Sequence, residues 1–178
     1  DNHNKRIFEL IKDKYVLEIG CASGKDAAQY SNYANTYTGL DVSDEAIKNC
    51  KNLDIQNARF VCTDGHKIPS DDKTFDFVIV NSLLHHMDLE TTFSEICRVL
   101  KDNGMLLFRE PLGTNPLFQL YRFITPSART EDERPFTFKD LRLMKSYFEL
   151  DDVEWYGFLN LFSAFIKSSI LRTCLSKL

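Results

Sequence analysis

The sequence lacks the cysteine patterns that disulfide frameworks and zinc sites require. Its five cysteines are scattered, with no C-x-x-C pair and no metal-ligand spacing. An odd, dispersed set of this kind is typical of reduced thiols in a cytoplasmic protein. The sequence also lacks an apolar run of about 18–20 residues, which a membrane-spanning helix needs, and it shows no signal-peptide pattern. These absences argue against a disulfide-stapled secreted scaffold and predict a cytoplasmic location.

A strongly basic composition is missing as well. The 178 residues carry a formal net charge of −4, and 43% of them are hydrophobic and 27% charged. This composition is typical of an ordinary globular domain, and the length fits one domain with a sizeable core. Because binding a phosphate backbone requires a basic surface, the acidic balance argues against a nucleic-acid partner.

The nearest approach to a membrane span is the carboxyl-terminal stretch Phe158 to Leu178, which Lys167 and Arg172 interrupt. Its apolar residues up to Ile170 share a broad helical face, so we predict an amphipathic helix over residues 159–178. Such a helix packs on the body of the domain, or it lies against a membrane surface or a partner protein. The sequence leaves these alternatives open.

Short apolar strands alternate with helical patterns along the rest of the chain. The predicted strands are residues 15–20, 36–41, 58–62, 75–80, 105–110 and 153–158, and the predicted helices are residues 7–11, 25–33, 43–51, 89–100 and 139–147. This alternation predicts an α/β fold with a Rossmann-like, mostly parallel sheet and helices on both faces. No clear seventh strand follows Phe158. Either the native chain is longer or this branch replaces the seventh strand. An unpaired edge of the sixth strand would favour a homodimer of a truncated form.

Residues 112–138 differ in character from the alternating pattern, since they contain three prolines and an acidic cluster. They lie between the fifth strand and the helix 139–147, so we predict a lid-like insertion within a single domain, residues 1–178. Its charged side chains form either a solvated face or a substrate contact. In parallel sheets ligands bind beyond the carboxyl ends of the strands, and the insertion would cover that edge.

The stretch "EIGCASG", Glu18 to Gly24, carries the chemistry at the first of these strand ends. A dinucleotide fingerprint has the pattern G-x-G-x-x-G, but here Ala22 stands between Gly20 and Gly24, and Glu18 would repel a pyrophosphate. An acid at this place suits a ligand that carries an ammonium group, as the methionine part of S-adenosylmethionine does. The small residues of the loop would let the backbone approach that ligand closely.

The pattern Glu18-x-Gly20-x-x-x-Gly24 resembles the first motif of class I S-adenosylmethionine-dependent methyltransferases. "GLDVSDEAI" and "FVCTDG" resemble the second and third motifs of that family, and "FDFVIVNSLLHHM" and "EICRVLKDNGMLLFREP" resemble the fourth and fifth strands of its type-11, quinone-biosynthesis-like group. The resemblance covers residues 15–111. The chain departs from it at Ala22, where the family usually has glycine.

The resemblance implies S-adenosylmethionine as the cofactor and assigns roles to individual residues. Asp41 would hold the ribose hydroxyls, Asp64 would accept from the adenine amino group, and the loop after the fourth strand would contact the methionine part. The predicted cofactor-binding residues are Glu18, Gly20, Cys21, Ala22, Gly24, Asp41, Val42, Asp64, Gly65, Asn81, Ser82 and His86.

Three residues at the same edge are candidates for catalysis. His85 or His86 could act as a base or orient the acceptor, and Glu110, at the end of the fifth strand, could accept a proton or bind an acceptor hydroxyl. Packing or cofactor contact is the alternative role for the histidines. A metal site is not predicted, because adjacent histidines in a loop make a poor chelate and no further ligand set is visible.

The sequence therefore predicts methyl transfer to a small-molecule, sugar or lipid-like acceptor by direct displacement. Two alternatives remain open: a catalytically silent methyltransferase-like module that binds a partner, and an NAD-dependent oxidoreductase. Glu18 and Asp41 are both present, whereas a silent module could have lost them. Binding of nicotinamide would separate the oxidoreductase from the methyltransferase.

Overall fold

The computed structural model describes residues 2–111, 124, 136–155 and 165–174, which build a seven-stranded sheet flanked by helices. The strands are β1 (Tyr15–Ile19), β2 (Thr36–Asp41), β3 (Ala58–Cys62), β4 (Phe75–Asn81), β5 (Leu100–Pro111), β6 (Phe148–Trp155) and β7 (Phe165–Cys174). The α-helices are α1 (Asn2–Ile11), α2 (Ala27–Tyr30), α3 (Asp44–Lys51), α4 (Leu89–Val99) and α5 (Phe138–Met144), and a 3-10 helix spans Leu84–His86.

Five parallel strands in the order β3-β2-β1-β4-β5 confirm the predicted Rossmann-like sheet. Val16 and Phe77 pack with residues of α1, α2 and α3 on one face, while Leu17 and Val78 pack with residues of α4 and α5 on the other. Burial on both faces explains why β1 and β4 are nearly continuous apolar runs. Because the five strands run in one direction, their carboxyl ends meet at one edge of the sheet.

The predicted carboxyl-terminal helix is wrong for Phe165–Cys174, which forms β7. This strand pairs antiparallel with β5 on one side and with β6 on the other, so both of its backbone edges have partners. Pairing on two sides overrides a local helical pattern, and periodicity alone does not separate a short apolar strand from a helix. The expected absence of a seventh strand is wrong for the same reason. In the described sheet β6 is the edge strand, with β7 on one side. The homodimer and the membrane-surface contact remain predictions.

The other predicted elements are present with shifted boundaries. Helix α2 has only four residues, and β5 begins at Leu100 because that residue already pairs with Phe75. The predicted lid, residues 112–138, lies outside the described residues except for Ile124 and residues 136–138. The lid and the single-domain organisation therefore remain predictions. Within the described part of the chain, no helix is both long and apolar enough to cross a membrane.

The side chain of Arg98 fixes the loop between β3 and β4 to α4. Its guanidinium donates to both carboxylate oxygens of Glu95, to the carbonyls of Ile68 and Ser70, and to Asp72, over 2.8–2.9 Å. Glu95 also accepts from the backbone N–H of Ile68. These contacts raise the pKa of Arg98, chiefly through the hydrogen bond to Glu95. The loop that they hold contains Asp64, a predicted cofactor-binding residue.

We predict that Arg98→Lys lowers the free energy of unfolding by about 1–2 kcal/mol, since an ammonium keeps the charge but cannot reproduce the fork of donors. Urea unfolding, read as a shift of midpoint at constant slope, measures the change. The control is Lys48→Ala, which removes an exposed ion pair with Asp44 and should leave the urea midpoint nearly unchanged. Equal effects of the two substitutions on the midpoint would contradict the role of Arg98 in fixing the loop between β3 and β4 to α4.

Candidate cofactor and active site

The loop after β1 makes a tight turn beside β2 and the loop after β4. Gly20 (φ +81°) and Gly24 (φ +76°) adopt left-handed conformations, which favour glycine. A Cβ on Gly20 would lie 2.9 Å from Leu83 Cδ2, so the Leu83 side chain would have to move to make room for it. Ala22 adopts φ +45° as well, which explains why the resembling family has glycine at this position.

Asp41, at the end of β2, holds this loop in place. Its Oδ2 accepts from the backbone N–H of Ala22 (2.8 Å), and its Oδ1 accepts from that of Ser43 (2.9 Å). Ser43 in turn caps α3 by accepting from Ala46. Val42 lies beside Asp41 with 73% of its surface exposed. This apolar side chain is therefore accessible to a planar ring of a ligand.

Glu18 is a buried carboxyl group at the end of β1, 2% exposed. The hydroxyl of Tyr37 donates to its Oε2, and Asn81 Nδ2 donates to its Oε1 over 3.3 Å. Burial raises the pKa of Glu18 to about 7, although both hydrogen bonds oppose the shift. Glu18 is thus poised to become fully ionised when a positive charge arrives.

Asp64 and Gly65 follow β3 at the same edge. Asp64 is exposed, and its Oδ1 accepts from the backbone N–H of His66 over 3.0 Å. Gly65 (φ +77°) is buried, and a Cβ there would lie 3.0 Å from Ile19 and 3.1 Å from Met87. The turn therefore presents the Asp64 carboxylate beyond the sheet.

The loop after β4 carries the histidines, which occupy different environments. His85 is buried and its Nδ1 lies 2.7 Å from Glu110 Oε2, whereas His86 is exposed. The two rings lie beside one another, with centroids 4.1 Å apart. Glu110, fully buried, also accepts through Oε1 from the backbone N–H groups of Leu83 (2.8 Å) and Leu84 (2.7 Å).

The structure brings the predicted residues together at one edge of the sheet, and sequence reasoning missed others that surround them. Tyr30, Tyr37 and Arg109 lie on the same face as Glu18. Strand alternation places Tyr37 and Arg109 there once the register of the strands is known, since side chains two residues apart share a face. No sequence pattern links Tyr30, on α2, to that face.

The residues present fit S-adenosylmethionine. A buried acid suits the ammonium group, Asp41 suits a ribose diol, and the left-handed loop positions leave the backbone accessible to a ligand. In residues 2–111, 124, 136–155 and 165–174, no three His, Cys, Asp or Glu side chains group as a metal site would require.

Comparison with known proteins agrees with this site. A family model described as a methyltransferase domain matches residues 17–108, more than half of the chain. The chain is 33% identical over 104 residues to a fatty-acid O-methyltransferase of Mycolicibacterium smegmatis, covering 56% of this chain and 38% of the relative. It is 27% identical over 117 residues to a ubiquinone biosynthesis O-methyltransferase of Coxiella burnetii, covering 64% and 50%. The chain thus spans half or less of the length of these relatives.

A solved structure of a SAM-dependent methyltransferase from Methanosarcina mazei has the same fold, with a TM-score of 0.74 at 23% identity, covering 96% of this chain and 97% of that one. The fold and the site are those of a class I S-adenosylmethionine-dependent methyltransferase domain. The chain belongs to the methyltransferase-domain family, whose cofactor is S-adenosylmethionine.

We predict that the affinity for S-adenosylhomocysteine, the demethylated cofactor, falls at low pH. The Glu18 carboxyl takes up a proton as the pH drops below about 7, and binding the ammonium group requires its release. The dissociation constant should therefore rise by up to about tenfold per pH unit below 7 and be constant above it. Calorimetric titration across about pH 6–8 measures this dependence.

Glu18→Gln should bind more weakly at high pH and lose the pH dependence. Glu90→Gln, which removes an exposed carboxylate on α4, should behave as the wild type does. A wild-type affinity that does not change with pH would contradict the role of Glu18.

Proposed function

We propose that this protein methylates a hydroxyl oxygen of an apolar, lipid-like acceptor. The contact that carries the proposal is the 2.7 Å pair between His85 Nδ1 and Glu110 Oε2. Bound S-adenosylmethionine supplies an electrophilic methyl group, and the protein's own residues align the acceptor and manage its proton.

Glu110 determines which nitrogen of His85 can act as a base. A buried carboxylate accepts hydrogen bonds, so Nδ1 of His85 carries the proton and Nε2 keeps its lone pair. Nε2 can then take the proton of an acceptor hydroxyl, an effect of about 10²- to 10⁴-fold on rate. The hydrogen bond between His85 Nδ1 and Glu110 fixes the orientation of the imidazole ring. This arrangement favours a base over a residue that only packs.

The same contacts tie this base to the cofactor loop. Glu110 fixes the backbone of Leu83 and Leu84, and the Leu83 side chain fills the space that a Cβ on Gly20 would need. A shift of the loop after β4 would thus move both His85, the proposed base, and the Leu83 side chain that packs against the cofactor loop at Gly20. This coupling supports a site in which acceptor and cofactor are aligned together.

The chemistry of a base favours one class of acceptor oxygen. A phenol or alcohol must lose its proton to become a good nucleophile, whereas a carboxylate is already ionised at neutral pH. The two curated relatives named above act, by their names, as O-methyltransferases on a fatty acid and in ubiquinone biosynthesis. Both names suggest an apolar acceptor, and the His85–Glu110 pair favours the hydroxyl type.

We predict that the protein methylates dodecyl gallate, whose phenolic hydroxyls are attached to an apolar chain, faster than dodecanoate. Release of S-adenosylhomocysteine measures the rate for both probes. His85→Gln should slow transfer to the gallate by about 10²- to 10⁴-fold, because the base is lost. It should leave the affinity for S-adenosylhomocysteine nearly unchanged.

Glu110→Gln tests the tautomer separately. The amide oxygen can still accept from Leu83 and Leu84 while its NH₂ group faces His85 Nδ1, which moves the proton of His85 to Nε2. The rate should fall about as far as in His85→Gln, with cofactor binding retained. Methylation of dodecanoate alone, at a rate that neither substitution alters, would contradict a base and a hydroxyl acceptor.

A further inference from the structure

The polar face around Glu18 also contains a positive charge, that of Arg109. Arg109 lies near the end of β5, directly beside Asn81 of β4 in the parallel register. Its backbone carbonyl accepts from the N–H of Ser82 over 2.7 Å. Arg109 is therefore fixed at the carboxyl edge of the sheet, one strand from the Asn81 amide that donates to Glu18.

Strand alternation places the Arg109 side chain on the Glu18 face. Leu107, two residues earlier, packs in the core cluster on the side of α1, α2 and α3, while Phe108 packs in the opposite one. Tyr30 of α2 lies in the same neighbourhood. Burial, and after it the charge of Glu18, raise the pKa of its phenol, while the charge of Arg109 and a hydrogen bond with Asn81 oppose the shift. The Nε atom of Arg109 is buried, so part of this charge is shielded from water.

The arrangement matches the end group of an amino acid. Such a group carries an ammonium and a carboxylate on one carbon, so a site that binds it needs an anion and a cation that converge. Glu18 and Arg109 stand two strands apart and are offset by two residues along the strands, since Glu18 pairs with Ile79 and Arg109 with Asn81. Their backbones are therefore about 12 Å apart. Their long side chains can close that gap above Asn81, and a guanidinium binds a carboxylate through two parallel hydrogen bonds.

We infer that Arg109 binds the α-carboxylate of the cofactor's methionine part, opposite the ammonium that Glu18 binds. Arg109 then determines which nucleosides enter the site. S-adenosylhomocysteine offers both charges, decarboxylated S-adenosylmethionine lacks the carboxylate, and 5′-methylthioadenosine lacks both. The inference rests on the cofactor of the proposed function and goes beyond it by assigning the recognition of one charged group.

Calorimetric titration of these three compounds tests the inference without any methyl acceptor. Arg109→Leu should weaken S-adenosylhomocysteine at least tenfold and leave 5′-methylthioadenosine and decarboxylated S-adenosylmethionine within threefold of the wild type. Arg109→Lys should give an intermediate loss, since it keeps the charge without the fork. Arg142→Leu, which removes an exposed charge on α5 against the opposite face of the sheet, is the matched control and should change none of the three.

Two results would overturn the role of Arg109 in binding the carboxylate. Equal weakening of all three compounds in Arg109→Leu would show a structural role and overturn the inference, and unchanged binding of S-adenosylhomocysteine would overturn it as well. A wild type that binds none of the three would instead overturn the cofactor assignment, so the two failures are distinguishable.

Discussion

The buried carboxylate of Glu110 holds together the two strand ends on which both halves of the site depend. It accepts two backbone N–H groups from the loop after β4 and faces Nδ1 of the histidine in that loop. A buried carboxylate without such partners would be costly, whereas these contacts satisfy both of its oxygens. The loop that they fix carries Leu83 against Gly20, so the acceptor side and the cofactor side share one support.

The other face of the sheet is organised by the cost of removing a charge from water. Glu18 lies in a desolvated position where two neutral donors, Tyr37 and Asn81, reach it, and burial raises its pKa. An incoming cation offsets that cost, which gives the site a preference for a positively charged ligand. Asp41 combines two tasks: each of its oxygens accepts one backbone N–H, which orders the loop and the start of α3, and each keeps a lone pair for a ribose hydroxyl.

The predictability of each feature depended on whether it is local in the chain. The spacing of Glu18, Gly20 and Gly24 is local, so the turn and its cofactor could be predicted from the sequence. The β7 strand could not, because its stability comes from partners on β5 and β6 that are distant in sequence. His85 and Glu110 were candidates separately, but their contact joins residues on different elements. Tyr37 and Arg109 were missed because strand alternation places them only after the register is known.

The central claim is that the carboxyl edge of the parallel strands binds a nucleoside cofactor through Asp41 and its neighbours. Titration of S-adenosylhomocysteine into the wild type and into Asp41→Ala tests it most directly. The account predicts binding to the wild type with a dissociation constant on the order of micromolar, weakened at least tenfold in the variant. A folded wild type that binds no S-adenosylhomocysteine would contradict the account.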